Sequence, residues 1–278
     1  MKINNIWTTA TVFSGLILVN SSVFADGVFT VNNSGAVTSG STAFQADAIR
    51  GSFNEAATFY ANGTFATTAF VNLTSFIDPS YGTDIPVRTT QLGYNYNLYA
   101  EIIGTGNYSV TATTEQFVYN AGTVALYLDD TANQANDVTA LASLFSSHSI
   151  TGGNSISQIA AFTLLGSGNL FPGSTNSSGS VISQVGVNIG QYGLTSSWGL
   201  TQAGQNFFTL PTSFYHSILG SGDLQNVNGL ISGSGIQYIN GTTTVTFGNS
   251  VPVPGAFWLF ASALLGFTGL SRRKHVAI

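Results

Sequence analysis

Cysteine is absent from all 278 residues, and charge is scarce, with only 6% of side chains being Asp, Glu, Lys or Arg. Without thiols there is no disulfide framework, no thiolate metal site and no cysteine nucleophile. The fold must therefore be held by its core or by bound ions. Basic residues are the scarcest. Between Lys2 and Arg272 only Arg50 and Arg88 are basic, while all 11 acidic residues fall between Asp26 and Asp223. Residues 26–250 thus carry two basic against 11 acidic side chains, a net −9. Phosphate backbones need Lys and Arg to displace counterions, so nucleic acid is not an expected partner. A weakly acidic surface suits divalent cations or neutral glycans. Sustained 3.6-residue periodicity is also rare, which argues against a helical architecture.

Both ends carry sorting features. Lys2 precedes an apolar run, Val12 to Val19, and Val23-Phe24-Ala25 places small or modest residues at positions −3 and −1 of a cleavage site. Residues 1–25 are therefore expected to be a signal peptide, helical in its apolar run, cut by signal peptidase between Ala25 and Asp26. At the other end stand Val251-Pro252-Val253-Pro254, an uncharged apolar stretch 256–270, then Arg272-Arg273-Lys274. Fifteen residues make a helix of about 22 Å. A bilayer core is about 30 Å thick, and Gly255, Ser271, local thinning and snorkelling bases can close that gap. A transmembrane helix with cytoplasmic bases is expected. The prolines expose an extended segment beside it.

This order of prolines, apolar helix and basic cluster resembles the PEP-CTERM sorting signal of Gram-negative bacteria. Val253 stands where the namesake motif has glutamate. The resemblance implies transient anchoring in the inner membrane, cleavage near Pro252-Val253-Pro254 by an exosortase, and delivery to the cell surface or extracellular matrix. A plain tail anchor is the alternative.

The middle reads as short strands. Glu55–Leu73 is the best hairpin. With Asn62-Gly63 as a two-residue type I′ turn, Tyr60 faces Phe65 and Thr58 faces Thr67. Tyr94, Tyr96 and Leu98 alternate with asparagines, and Gly104-Thr105-Gly106-Asn107 is expected to turn the chain. Val124, Leu126 and Leu128 share a face, as do Val185, Val187 and Ile189. Thr242–Phe247 is the last strand. Asn240-Gly241 and Asn169 to Gly173 read as turns, residues 175–180 as a flexible loop, and Phe247–Ser250 as a tether. Asp137 is a helix N-cap for Val138–Phe145 if that segment is not a strand. The expected class is all-β, an antiparallel β-sandwich or jelly roll over 26–247, followed by a sorting segment 248–278.

The search for chemistry yields little. Between the sorting segments there are two histidines, His148 and His216, and neither an HExxH motif nor a Gly-x-Ser-x-Gly elbow. A serine–histidine dyad would have to come from residues distant in sequence. Glu55, Glu101 and Glu115 could supply a glycosidase pair, but acidic residues on half-buried strands are expected on the solvent face. Asp129, Asp130 and Asp137 form the densest oxygen-ligand cluster, a calcium candidate whose spacing does not match an EF-hand. Calcium there would bridge the acidic protein to acidic polysaccharide. Tyr94, Tyr96 and Tyr99 are the clustered candidates for stacking on sugar rings, with packing expected for at least two.

The middle also resembles the flocculation-associated PEP-CTERM family at Phe29-Thr30-Val31-Asn32, Phe44-Gln45-Ala46-Asp47, Gly51 to Glu55, Gly204 to Phe208 and Pro211 to Tyr215. That resemblance implies a role in cell aggregation, in floc or biofilm, without catalytic residues or a cofactor. The expected partners are exopolysaccharide or neighbouring matrix proteins. The rival readings are a non-catalytic carbohydrate-binding module and an extracellular hydrolase.

Overall fold

Rows of alternating apolar residues become the inner wall of a closed barrel. The computed structural model describes residues 23–34, 36, 43–130, 162–174, 176–184, 187–225 and 233–251. Eight antiparallel strands pair in chain order: β4 (Ala48–Phe59), β5 (Thr64–Ile77), β6 (Tyr96–Val110), β7 (Thr114–Asp130), β9 (Ser177–Gln184), β10 (Val187–Ser197), β13 (Ser217–Gln225) and β14 (Gly235–Val251). The ring closes where β14 pairs back onto β4 over Gly235↔Phe59 to Thr246↔Ala48. The all-β expectation holds. The sandwich or jelly roll does not, because first and last strands meet and the sheet curls on itself instead of splitting into two layers.

The end where β4 begins and β14 finishes is here the near end, and the β4–β5 turn lies at the far end. Two short ladders extend the barrel. β8 (Thr163–Asn169) pairs with β7 and with β11 (Gly199–Leu200). At the near end, β1 (Val23–Asp26) pairs with the last residues of β14. The three-stranded sheet β12–β2–β3 (Phe208–Leu210, Phe29–Asn32, Ala43–Ala46) joins there too. A four-residue helix α1 (Val87–Thr90) lies in the β5–β6 connection. Helix α2 (Gln202–Phe207) is capped by Thr201, whose hydroxyl accepts from the Gly204 amide at 3.1 Å.

The near end is stoppered by aromatic rings. Phe247 is fully buried and meets Phe29, Phe208, Phe214 and Trp198 at centroid distances of 5.2, 5.5, 5.1 and 5.7 Å. Inside the barrel, large rings lie over glycines of the neighbouring strand. A Cβ at Gly104 would stand 2.5 Å from the Tyr119 ring, and one at Gly179 would stand 2.2 Å from Phe117. Eight strands leave an interior only wide enough for side chains, so each ring needs a strand position without one.

This packing corrects several turn expectations. Gly104 to Asn107 run straight through β6, and Asn240-Gly241 runs straight through β14, where the Phe53 ring occupies the space a Gly241 Cβ would need. Ser177 to Ser180 belong to β9 rather than to a flexible loop. Phe247–Ser250 are strand, not tether, and β14 continues to Val251. The Glu55–Leu73 hairpin forms with its register slipped by one. Phe59 pairs with Phe65, and Ala57 with Thr67. The loop holds three residues, Ala61-Asn62-Gly63, because Tyr60 N–H donates to the Thr64 carbonyl at 2.9 Å and Gly63 takes φ +80°. The slip sends both phenylalanines into the lumen and leaves Tyr60 exposed.

Other expectations fall elsewhere. Val124, Leu126 and Leu128 do share the inward face. Val185, the side chains of Val187 and Ile189, and Val138–Phe145 lie outside the described residues. So do residues 1–22 and 252–278, which include the expected signal and transmembrane helices. Among the described residues no helix is long and apolar enough to cross a membrane.

Truncating Phe247 to Ala should destabilise the barrel by about 3–5 kcal/mol, a drop of roughly 6–20 °C in Tm for a domain of this size. Gly104→Ala should cost about 1–3 kcal/mol through the clash with Tyr119. In the Tyr119→Ala background that cost should largely vanish, as a double-mutant cycle by urea unfolding would read. Additive costs would mean that the ring does not rest on the glycine.

Candidate functional site

Strand β4 sends Phe53, Glu55, Ala57 and Phe59 inward. Glu55 is therefore a carboxyl group inside an apolar barrel. What remains accessible of it lines a 20 Å³ cavity shared with Phe53, Ala69, Phe117, Tyr119 and Tyr192, so that surface faces the lumen rather than bulk water. Its nearest partner is Thr67, whose hydroxyl contacts both Oε1 of Glu55 and, at 3.3 Å, the Ala56 carbonyl. A hydroxyl has one proton to give. That proton goes to Oε1 of Glu55, much the nearer of the two acceptors. Burial pushes the Glu55 carboxyl above its ordinary value of 4.5, against a smaller opposing pull from the Thr67 hydrogen bond. Burial also pushes the Tyr119 and Tyr192 phenols upward, and negative charge on Glu55 would push both further.

The lumen thus holds a carboxyl group whose pKa burial raises, beside two phenols. A second lumen cavity of 30 Å³, lined chiefly by Val71, Leu73, Val124, Leu126 and Ile218, is apolar. One water needs about 10–15 Å³ measured this way. Both cavities are water-sized, so this cluster can hold a proton or a water molecule but not a sugar ring.

The three glutamates depart from the solvent-face expectation. Glu55 points inward and Glu101 outward, because Glu101 pairs with Phe70, which pairs with outward Asn54. They lie on opposite faces of the barrel wall. None of the three is on a solvent face. Glu101 is buried on the outer wall, where Phe70, Tyr99 and Tyr127 form a second apolar cluster. Glu115 is buried as well, and it shares its side of the wall with inward Val181, its partner across the ladder. A bulge explains this. At Thr105/Gly106 the register shifts, Asn120 is skipped, and the inward row changes from even to odd numbers along β7.

Of the calcium candidate's three residues, the side chain of Asp129 alone is described. Asp129 is buried and accepts from Asn97 Nδ2 at 3.2 Å. The side chain of Asp130 and all of Asp137 lie outside the described residues, and among those described there is no group of three metal-ligating side chains. His148 also lies outside them. His216 is exposed at the start of β13, its amide donating to Asn249 Oδ1 at 3.2 Å. Of the tyrosines, Tyr96 is fully buried with its hydroxyl donating to the Thr90 carbonyl at 2.8 Å. Tyr99 packs against Phe162, and Tyr94 is 72% exposed.

Two surface clefts were not legible in the sequence. One, of 580 Å³, is lined by Asn32, Ser34, Thr163, Gln205, Asn206 and Thr209 among others. The other, of 440 Å³, includes Gln116, Ser174, Ser178, Ser180 and Gln191. Both reach the size of a small-ligand site, and neither is lined by a charged side chain. Their residues come from segments far apart in sequence, so no local motif announces them.

No family model, no curated protein and no solved structure matches the chain.

Glu55→Gln tests the raised carboxyl pKa. A carboxyl whose folded pKa is raised contributes stability that is fully present below its unfolded pKa and is lost as pH rises through the folded pKa. Wild-type stability should therefore fall as pH climbs above 4.5, and the Glu55→Gln chain should lack that fall. Urea midpoints at pH 4 to 9 check this. Parallel curves for the two chains would mean that Glu55 is ionised at no cost.

Proposed function

We propose that this chain is an exported structural or adhesion protein of the cell surface or extracellular matrix, acting without catalysis alongside exopolysaccharide in floc or biofilm. One observation carries the reading: the order Val251-Pro252-Val253-Pro254, apolar 256–270, Arg272-Arg273-Lys274. On this reading signal peptidase cuts at Ala25-Asp26 and an exosortase processes the C-terminal signal. The outer wall of the barrel supports this reading. β14 turns Thr242, Thr244 and Thr246 outward, and β4 turns out Ser52, Asn54 and Thr58. Hydroxyls and amides spread over a curved wall suit many weak contacts with glycans, where effective concentration substitutes for affinity.

The uncharged clefts of 440 and 580 Å³ favour a second reading, a non-catalytic carbohydrate-binding module. Opposed placement of Glu55 and Glu101 counts against a hydrolase built on that pair.

The deciding measurement is intact mass and location of the protein in its own host, with and without the processing enzyme. Loss of both end segments, with the mature form in the matrix, is expected. An intact C-terminal segment in the inner-membrane fraction of both strains would make it a permanent anchor and remove the matrix role. Purified exopolysaccharide separates the other two readings. A monomeric barrel that binds it saturably, with binding lost in Asn206→Ala or Gln191→Ala, is a carbohydrate-binding module.

A further inference from the structure

The two ends of the described chain meet at one end of the barrel. Asp26 pairs with Gly248, Gly27 N–H donates to the Phe247 carbonyl at 2.9 Å, and the Tyr215 hydroxyl donates to the Val28 carbonyl at 2.8 Å. Strand β14 leaves this near end at Val251. Only residues 252–255 separate it from the apolar stretch that begins at Ala256. Fully extended, that connection spans no more than about 18 Å. The barrel is longer than its tether. β4 alone has 12 residues, which at about 3.4 Å each and a tilt of about 40° reach roughly 30 Å along the axis. The far end therefore cannot turn to a membrane that holds residues 256–270, while the near end cannot leave it.

Among the described residues, the three most exposed large hydrophobic side chains stand at the near end. The β5–β6 connection exposes Tyr81 at 80%, Tyr94 at 72% and Val87 at 53%. These are not loose. Ile85 and Leu92 of the same connection are buried in the core, the Asp78 amide donates to the Thr83 carbonyl at 2.8 Å, and the Ser75 hydroxyl donates to Asp84 at 3.1 Å. Its charges offset one another. Arg50 of β4 lies 3.6 Å from Asp84, and Arg88 offsets the charge of Asp78 within the connection. A rigid, neutral, tyrosine-bearing projection within a short tether of a bilayer has the chemistry of the headgroup zone, where amphipathic rings are enriched.

Resting on the reading that residues 256–270 enter the bilayer, we infer that the near end of the barrel docks on the membrane surface through Tyr81, Val87 and Tyr94 until the tail is cut. The bound surface is the lipid headgroup layer, and the contact is amphipathic rather than ionic.

A chain without cysteine accepts single spin labels without background. The full chain is reconstituted in phosphatidylcholine vesicles with a nitroxide at Thr83→Cys, at Ala61→Cys on the far end, or at Ala263→Cys in the apolar stretch. Relaxation by a water-soluble nickel chelate should be several-fold weaker at 83 than at 61. The triple change Tyr81→Ser, Val87→Ser and Tyr94→Ser should abolish that difference while 263 stays buried in lipid. Raising salt or adding anionic lipid should change little. Equal accessibility at 83 and 61, with 263 in lipid, would overturn the docking and leave the anchor intact. A label at 263 that remains in water would overturn both readings. Dipolar broadening at 83 that disappears on dilution with unlabelled chain would assign the face to a second copy and also overturn the docking.

Discussion

Closing eight strands into a ring fixes the volume inside it, and most of this structure answers to that one constraint. The lumen must be filled without overfilling. Tyr119 over Gly104, Phe65 over Gly106, Phe117 over Gly179 and Phe53 over Gly241 each match a ring on one strand to a missing side chain on its neighbour. Each match also fixes register. A slip of one residue would bring a Cβ into the space a ring occupies and turn a whole row to the other face. Volume and pairing are thus specified by the same residues.

That coupling explains what could be read from the chain beforehand. Alternation along Val124, Leu126 and Leu128 and along Thr242–Phe247 is a local signal, and it identifies strands correctly. Gly104, Gly106 and Gly241 also carry a local signal, that of a turn, but their role is set by rings brought from elsewhere. The phase of β7 was hidden for a similar reason. One skipped residue, Asn120, reverses the inward row, and nothing adjacent marks it. Glu55 shows a third kind of concealment. Its neighbours Phe53 and Phe59 define an inward row, but a carboxyl group in such a row reads as a surface residue until the Thr67 hydroxyl is seen beside it. The two uncharged clefts need the tertiary fold before they exist at all.

The distribution of polarity across the wall is the reverse of that in an outer-membrane barrel. There the apolar band faces out and the lumen is wet. Here the lumen carries Ile49, Val71, Leu73 and Leu126, and β14 presents threonines outward. Along β14 that outer face is uncharged and hydrogen-bonding, a surface that pairs readily with hydroxyl-rich polymers, which accords with the matrix role proposed above.

Closure also has a kinetic side. The seam joins Ala48 to Thr246, so its loop spans most of the barrel sequence. No arrangement of the earlier strands can complete the ring until residues 235–251 are available. Until then the outer edge of β4 stays open, and that edge ends in an exposed ladder of backbone donors and acceptors. Pairings this distant in sequence make folding slow. For this chain the interval before the last strand arrives is when wrong partners, including other copies with the same open edge, compete hardest for β4.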